Sequence, residues 1–482
     1  MENGGLALVS FGSLVFYARV LGPVDFGLFS IVLALVELLD VLVSMLFHDA
    51  LVQKRAATDR HFDTAFTTSL LLGVALFAAC WLVAPTFARL VDNAQAASVL
   101  GWTALRFPFT ALGAIIVARQ RRELAFKVLA IRSLVGRLTG AALGIALVAL
   151  GAGVWGLVVQ QVAIAAAASL VLWMGTDRRP RLRFRLGELR ELLTFGVYAV
   201  GALFLNFAVK RVFTIVAGVM LGAELAGFLN IGFRAVDVLW AIAATAVGQV
   251  GLPVLARLQT DPLRFRSAYR SALEFTCLLL YPCFCGIALV APLVVELLFG
   301  SRWLASAPYV SLLALLALVQ APRLLMTPAL TALGHPRQPL AGLAVELLIV
   351  IGLLATVGAH TLPGAVAIWV IRELASAPVM THLVKRAVGL GAAAHLRAVA
   401  GPLLASACMA LALFGVGRVL PTSLPTAGRL AILAALGALS FVAAAWTFDR
   451  QAMKRLLDFV ASVAHPPSML PPAEPRAALE SK

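Results

Sequence analysis

The sequence has little charge for its length. Of its 482 residues only 13% are charged and 61% are apolar, with a mean hydropathy of +0.96. A soluble protein of ordinary composition carries about 25% charged residues. Apolar runs of about 20 residues recur along the chain, each long enough to cross the roughly 30 Å hydrocarbon core of a bilayer. Runs such as FTTSLLLGVALFAACWLVA do not alternate in polarity, which excludes a transmembrane β-barrel.

The sequence also lacks the motifs of metal sites, nucleotide binding and catalysis. Its five cysteines lie inside apolar runs, and Cys283 and Cys285 have no histidine or second cysteine pair to complete a zinc site. No glycine-rich loop ends in Lys-Ser or Lys-Thr, so ATP is not indicated as the energy source. His48 and Asp49 have no identifiable nucleophile or metal partner. We therefore expect no enzymatic activity, no metal and no cofactor.

The apolar runs predict an all-α polytopic membrane protein with about fourteen transmembrane helices. Short breaks with glycine, proline or charged residues separate the runs, and each run has the length of a spanning helix. The predicted spans lie near residues 4–20, 27–52, 64–88, 97–118, 126–149, 153–174, 192–220, 225–256, 271–299, 304–333, 338–358, 362–384, 398–418 and 428–448.

Basic residues give this arrangement an orientation. Of the 39 lysines and arginines, 26 lie on every second loop or in the C-terminal tail, and only five lie on the opposite loops. Because basic residues accumulate on the cytoplasmic side, the alternation predicts that both termini are cytoplasmic. It also accounts for most of the net charge of +16, so no nucleic-acid partner is expected. The arginine-rich segment 178–190 is predicted to contact anionic headgroups of membrane lipids.

Two similar turns lie 200 residues apart. LGPVDFG at 21–27 and LGAELAG at 221–227 each join two spans on the predicted outer side. In each, a glycine is expected to end one helix in a left-handed conformation, and an acidic residue falls in the first turn of the next. With the same shift, Glu37 falls on Asp237. Because six spans separate the turns, an even number, the repeat predicts two six-helix lobes of parallel topology.

A second correspondence supports the repeat. Span four carries Arg106 thirteen residues before Arg119, and span ten carries Arg323 fourteen residues before Arg337. The predicted organisation is an N-terminal lobe at 1–174, a basic cytoplasmic linker at 175–191, a C-terminal lobe at 192–390, two additional transmembrane helices at 391–449, and a cytoplasmic tail at 450–482 that is first amphipathic and then disordered.

Eight basic residues lie inside the spans: Arg106, Arg132, Arg137, Lys210, Arg211, Arg234, Arg323 and Arg372. Each costs about 2.5–3.5 kcal/mol at a helix centre, so they are expected to face the protein interior or a water-filled cavity. Only six acidic residues accompany them, which leaves a net positive interior. Because arginine binds phosphate through paired hydrogen bonds, we predict an anion site formed by Arg106, Arg137, Arg234, Arg323 and Arg372.

Ion pairs between helices are the alternative role for these charges. Arg234 and Asp237 lie three residues apart and share a helix face, whereas the adjacent Arg372 and Glu373 are expected to point in different directions. The residues predicted for coupling or ion pairing are Glu37, Asp237, Lys210 and Arg211.

Several stretches resemble the polysaccharide flippases, which share a superfamily with multidrug extruders and the lipid II flippase. The stretches are ARVLGPVDFGLFSIV at 18–32, ARQRRELAFKVLAIRSLVG at 118–136, GAGVWGLVVQQVA at 151–163, LTFGVYAVGALFLN at 193–206 and LGAELAGFLNIG at 221–232. The similarity runs over roughly residues 10–390. One departure is the absence of an acidic residue shortly after Asn206, where relatives often carry one.

The resemblance implies a two-lobed bundle of fourteen helices that works by alternating access. The implied substrate is a polyprenyl-pyrophosphate-linked oligosaccharide, moved from the cytoplasmic to the outer leaflet of a prokaryotic plasma membrane. Polysaccharide polymerases and glycosyltransferases are the implied protein partners. Two alternatives stay open: a cation-coupled drug or metabolite extruder of the same superfamily, and a non-transporting subunit of a polysaccharide assembly complex.

Overall fold

The computed structural model describes residues 2–54, 56–335, 338–421, 423–450 and 453–454. Within these residues the regular structure is helical, which confirms the predicted all-α class. The helices are α1 (Glu2–Val20), α2 (Pro23–Met45), α3 (His48–Gln53), α4 (Asp59–Val91), α5 (Gln95–Ala104), α6 (Arg106–Arg122), α7 (Phe126–Ala149), α8 (Val154–Met174), α9 (Leu186–Leu221), α10 (Ala223–Arg257), α11 (Pro262–Phe299), α12 (Ala307–Gln320), α13 (Met326–Ala332), α14 (Gln338–Thr356), α15 (Leu362–Val388), α16 (Ala392–Val419) and α17 (Thr426–Phe448).

Thirteen helical segments in the described part of the chain are long and apolar enough to cross a membrane. The first predicted span contributes a shorter apolar helix, Val9–Val20. The count of fourteen and the boundaries between the two lobes therefore stay predictions. The amphipathic and disordered tail predicted at 450–482 lies outside the described residues, apart from residues 450, 453 and 454.

Two of the predicted spans are interrupted at matching arginines. Span four consists of α5 and α6, and Arg106 is the first residue of α6. Span ten consists of α12 and α13, joined by the 3-10 turn Ala321–Leu325 that contains Arg323. The two arginines that correspond in sequence thus both lie at a break in a membrane-spanning segment, where the backbone departs from a continuous α-helix.

The two similar turns differ in backbone conformation. Gly222 has φ +80°, a region that glycine adopts without steric cost, and it ends α9. Gly22 has φ −75° and ψ 165°, so the left-handed conformation expected there is wrong. The reason is that Pro23 starts α2, and a residue before proline is biased toward extended backbone.

The matched helices α2 and α10 touch each other just after these turns. A methyl group added to Gly27 would overlap the carbonyl oxygen of Ala223, and one added to Gly227 would overlap the carbonyl oxygen of Pro23. The absence of side chains at both glycines allows the two backbones to approach this closely. The ends of α2 and α10 on the predicted outer side are therefore in direct contact.

A buried tryptophan closes the same end of the molecule. Trp303, which is fully buried, lies in the 3-10 turn Ser301–Ser306 and donates its indole N–H to the carbonyl oxygen of Ala18 at 2.7 Å. Phe26 and Phe228 contact its ring edge-on, with centroids 5.4 and 5.9 Å away. These contacts join α1, α2, α10 and the segment before α12 into one apolar seal.

Arg19 adds a polar contact to this seal. Its guanidinium donates to the carbonyl oxygen of Leu298 at 3.0 Å and to that of Leu297, both in the last turn of α11. The last carbonyls of a helix have no partner within the helix, and a cation there also suits the helix dipole. The end of α1 is thereby attached to the end of α11.

Helix α9 runs along both halves of the molecule. Leu192, near its start, packs with Phe47, Phe62 and Phe66 of the N-terminal half. Phe213, near its end, contacts the rings of Phe233 and Trp369 in the C-terminal half. The residues between these two contacts lie where α9 passes from one half to the other, and they include Lys210 and Arg211.

Candidate functional site

A cavity of about 780 Å³ lies among the helices of the C-terminal half. It is lined by α9, α10, α12, α13, α14, α15 and the 3-10 turn that contains Arg323. A cavity of this size falls within the range of about 300–1,000 Å³ that is usual for ligand-binding pockets. Its lining combines charged side chains with aromatic ones, so it is both polar and able to contact apolar ligand surfaces.

Four of the charged side chains that line this cavity form a closed network. Arg372 donates to Glu346 at 2.8 Å and to Glu373 at 2.5 Å, and Arg323 donates to the same two carboxylates. Gln320 also donates to Glu373, at 2.8 Å. Both glutamates are buried, with relative exposures of 6% and 1%, so their charges depend on these partners.

The break in span ten positions this network. The 3-10 turn Ala321–Leu325 turns Arg323 toward α14 and α15, which carry the two glutamates. Arg372 lies one position before Glu373 on α15, and its guanidinium also covers the ring of Trp369 at 3.9 Å. The adjacent Arg372 and Glu373 are therefore bonded to each other, and the expectation that they point in different directions is wrong.

Consecutive bases on α9 bind two carboxylates that correspond in the repeat. Lys210 donates to both oxygens of Asp237 on α10, at 2.6 Å. Arg211 pairs with Glu37 on α2 at 2.5 Å. Glu37 and Asp237 are the two positions that the 200-residue shift places opposite each other. Arg211 thus links α9 to the N-terminal half, while Lys210 holds it to its neighbour in the C-terminal half.

Within the described part of the chain, four basic side chains line the cavity, and each is engaged with a carboxylate. Within the cavity, Lys210 pairs with Asp237, and Arg323 and Arg372 share Glu346 and Glu373. Arg211 pairs with Glu37, which lies beside the cavity. Removing one partner from a buried ion pair costs about 3–5 kcal/mol. An anion that enters this cavity therefore has to exchange with a carboxylate rather than meet a free arginine.

Arg106 lies in the N-terminal half, away from the cavity. It donates to Asp40 on α2 at 3.1 Å and to Gln161 on α8 at 3.1 Å. The side chains of Arg106 and Asp40 are only 16% and 15% exposed. Arg106 and Arg323 correspond in sequence, and both bind carboxylates of their own half.

The remaining predicted anion-binding residues do not join this site. Arg137 on α7 donates to the hydroxyl of Ser10 on α1 at 2.7 Å. Arg234 on α10 is half-buried and is not among the residues that line the cavity. Asp237, expected to share a helix face with Arg234, is bound by Lys210 instead. Of the five predicted arginines, Arg323 and Arg372 are brought together, and the other three lie apart from them.

Aromatic side chains of the cavity were not singled out from the sequence. Phe207, Phe233, Trp240 and Trp369 all line it. They lie in long apolar runs, where the sequence gives no signal that separates a cavity-lining ring from a core or lipid-facing one. The acidic residues Glu346 and Glu373 did carry a signal, because intramembrane carboxylates are rare and costly.

A family profile described as "Polysaccharide biosynthesis protein" matches residues 16–308, which is more than half of the chain. The chain belongs to this family. The resemblance to polysaccharide flippases indicated by its motifs is therefore confirmed, and the chain is a multi-pass membrane protein of that transporter class. The matched region includes both similar turns and the seal around Trp303.

Among the relatives is the teichuronic acid biosynthesis protein TuaB of Bacillus subtilis, which is 24% identical over 83% of this chain and 84% of its own. The succinoglycan biosynthesis transport protein ExoT of Rhizobium meliloti is 24% identical over 70% of this chain and 68% of its own. In fold, the chain is similar to the lipid II flippase MurJ in an inward closed conformation. The TM-score is 0.78, with 14% identity over 94% of this chain and 98% of that one.

Proposed function

We propose that this protein moves a polyprenyl-pyrophosphate-linked oligosaccharide from the cytoplasmic to the outer leaflet of a prokaryotic plasma membrane. It acts as a transporter rather than an enzyme and works by alternating access. The observation that carries the proposal is the charged and aromatic cavity of about 780 Å³ inside an apolar helix bundle of this family. A polar ligand can occupy such a cavity while its lipid tail stays in the bilayer.

The seal at the other end of the bundle supports the alternating-access part of the proposal. Trp303, Gly27 and Gly227 hold α1, α2 and α10 together on the predicted outer side. In contrast, the cavity extends to Thr331 and Pro339, which flank the predicted cytoplasmic loop at 333–337. With the predicted orientation, in which both termini are cytoplasmic, these two features support a state that receives substrate from the cytoplasmic side.

In this proposal the pyrophosphate binds Arg323 and Arg372. The two arginines lie in one network, and their guanidinium groups suit the paired hydrogen bonds of phosphate oxygens. When the pyrophosphate binds, it replaces one or more of the hydrogen bonds to Glu346 and Glu373. The same two arginines thus bind the carboxylates in one state and the substrate in the other. Arg106, Arg137 and Arg234 are less suited to this role in the present conformation, because they lie outside the cavity.

The proposed partners follow from the same substrate. A lipid-linked glycan is made by glycosyltransferases and consumed by a polymerase, so both are proposed as functional partners in the membrane. The exposed arginines of segment 178–190 are proposed to contact anionic lipid headgroups.

Transport by the purified protein in liposomes tests the proposal. A fluorescent polyprenyl-pyrophosphate-linked saccharide is placed in both leaflets, and a membrane-impermeant reductant then bleaches the outer pool. We expect the protected fraction to become accessible only in vesicles that contain the protein. Unchanged protection, in vesicles where the protein is folded, would contradict the proposal and favour a non-transporting subunit of an assembly complex. Transport of organic cations in the same vesicles would instead favour a drug extruder.

A further inference from the structure

Two sets of side chains in the cavity lining differ in charge. The first, the charged layer, consists of Lys210, Asp237, Arg323, Glu346, Arg372 and Glu373. The second, the neutral layer, consists of Asn206, Phe207, Trp240, Thr327, Leu340 and Met380. Residues of the neutral layer precede those of the charged layer on α9 and α14 and follow them on α10 and α15, and Thr327 at the start of α13 follows Arg323 of the 3-10 turn.

This order places the neutral layer on one side of the charged layer, whereas neutral lining residues such as Leu313 of α12 and Phe233 of α10 precede the charged ones and lie toward the opposite side. Helices α9 and α14 end at the same side of the bundle, because the backbone N–H of Ala359, just after α14, contacts the sulfur of Met220. Helices α10 and α15 start at that side, so they run in the opposite direction. The neutral layer therefore lies toward the loop at 333–337, next to the cavity's predicted entrance. Phe207 lies three residues from Lys210, a helical rise of about 4.5 Å, so the two layers are adjacent.

Three side chains of the neutral layer are exposed and available to a ligand. Phe207 is 44% exposed, and Asn206 and Thr327 are exposed as well. In the part of the chain that the structure describes, neither the Asn206 amide nor the Thr327 hydroxyl makes a side-chain hydrogen bond. Trp240 is half-buried and packs on Phe284, with ring centroids 6.0 Å apart.

We propose that the neutral layer binds the sugar that is attached to the pyrophosphate, and that Asn206, Phe207, Trp240 and Thr327 contact it. This inference rests on the proposed function. Sugar hydroxyls are donors and acceptors that match an amide and a hydroxyl, whereas the C–H faces of a sugar ring pack on aromatic rings. A sugar can bind here without separating any ion pair, since no side chain of the neutral layer is charged, and the ion pairs are made by other residues. Pyrophosphate and sugar are directly bonded in the substrate. The charged layer and the neutral layer are likewise adjacent, so each can contact its own part of one substrate molecule.

Binding of two kinds of probe to the purified full-length protein tests the assignment. One probe is farnesyl pyrophosphate. The others are farnesyl-pyrophosphate-linked glucose, galactose and N-acetylglucosamine. We expect at least one sugar-bearing probe to bind the wild type more tightly than the bare one. Phe207→Ala and Asn206→Ala should each lower the affinity for that probe about tenfold, which is the effect of losing one aromatic or hydrogen-bond contact. The affinity for farnesyl pyrophosphate should change less than about twofold.

Matched variants distinguish ring contact from general damage. Phe126→Ala removes a similarly exposed phenylalanine outside the cavity and should leave both probes unaffected. Trp240→Phe keeps an aromatic ring and should retain more affinity for the sugar-bearing probe than Trp240→Ala does.

Three results would overturn the inference. The first is equal affinity of the wild type for bare and sugar-bearing probes. The second is an equal loss for both probes in Phe207→Ala and Asn206→Ala. The third is no loss in either variant. In each of these cases binding of farnesyl pyrophosphate leaves the proposed function standing. If the wild type binds none of the probes, the proposed function itself fails, and the sugar assignment fails with it.

Discussion

The indole N–H of Trp303 donates a hydrogen bond to the carbonyl oxygen of Ala18, at 2.7 Å and across 285 residues of sequence. Both residues are fully buried. The bond joins the end of the first helix to the turn before α12, and the rings of Phe26 and Phe228 enclose it. In the proposed alternating-access cycle, we expect this bond to break when the predicted outer side opens.

We expect Trp303→Phe to weaken the closed outer side. The substitution keeps an aromatic ring but removes the N–H, which leaves the buried carbonyl of Ala18 unpaired and costs about 1–3 kcal/mol. The measurement is the rate at which a membrane-impermeant maleimide labels Ser30→Cys, with the exposed Cys283 and Cys408 replaced by serine. Labelling should accelerate by about fivefold or more. Trp81→Phe, on an exposed tryptophan that is not part of the seal, serves as control.

Gly27→Ala should prevent the close contact between α2 and α10 from forming. The new methyl group would overlap the backbone of Ala223, which cannot yield as a flexible side chain can. We predict loss of transport in the liposome assay together with increased labelling at position 30. Gly22→Ala is the matched control, because Gly22 has an ordinary φ and open space around its Cβ direction. Equal activity of the two variants would show that the contact is not needed for the transport cycle.

Arg211 and Glu37 should be energetically coupled. Either Glu37→Gln or Arg211→Gln leaves the other charge unpaired between the two halves, whereas the double variant removes both charges. We expect a coupling free energy of about 1–3 kcal/mol, below that of a fully buried pair because both side chains are partly exposed. The free energy of unfolding in detergent, measured for the wild type and three variants, gives this value. Additive effects would mean that the pair is not formed in the folded protein.

Arg372→Gln should abolish binding of farnesyl pyrophosphate, whereas Arg137→Gln should leave it within about twofold of the wild type. Arg372 lies in the charged network, and Arg137 lies on α7 against Ser10. Arg372→Gln also leaves Glu346 and Glu373 with one arginine between them, which lowers stability by about 3–5 kcal/mol. The double variant Arg372→Gln/Glu346→Gln should recover stability but not binding. Recovery of both would show that Arg372 acts on the fold alone.

Acid should weaken the attachment of α9 to the loop before α4. Hydrogen bonds from Lys54, at 2.5 Å, and from His61 lower the pKa of Glu191. Because this folded-state pKa lies below the unfolded value of about 4.3, the contribution to stability is present above pH 4.3 and disappears as pH falls through the lowered pKa. Melting temperatures of the wild type and Glu191→Gln should therefore differ at pH 7 and converge as the pH is lowered through this pKa. A constant difference across this range would contradict the role of the charge.

The sequence predicted the helices well because their cause is local. Long apolar runs must form helices in lipid, since each backbone polar group needs a partner within its own segment. The matching turns at Gly22 and Gly222 were also visible, as was the correspondence between Glu37 and Asp237. What these positions contact was not visible, because it depends on the rotation and packing of helices far apart in sequence.

The charged residues illustrate this limit. Counting bases and acids inside the spans indicated a net positive interior, but the count carries no information about which charges meet. The actual partner of Asp237 is Lys210 on α9, rather than Arg234 on its own helix. Arg323 reaches both Glu346 and Glu373 because span ten is interrupted by a 3-10 turn. Pro322 marks the place of this break in the sequence, but not the direction in which it turns Arg323.

The contact between Gly27 and Gly227 has a mechanical consequence. Two backbones that meet at corresponding positions of a repeat form a fulcrum close to the axis that relates the two halves. Helix α2 extends 23 residues, about 34 Å, and most of that length lies beyond the fulcrum. A tilt of roughly ten degrees about it would displace the far end of α2, about 27 Å from Gly27, by about 5 Å. The contact between two glycines on the predicted outer side can therefore control how wide the bundle opens on the opposite side.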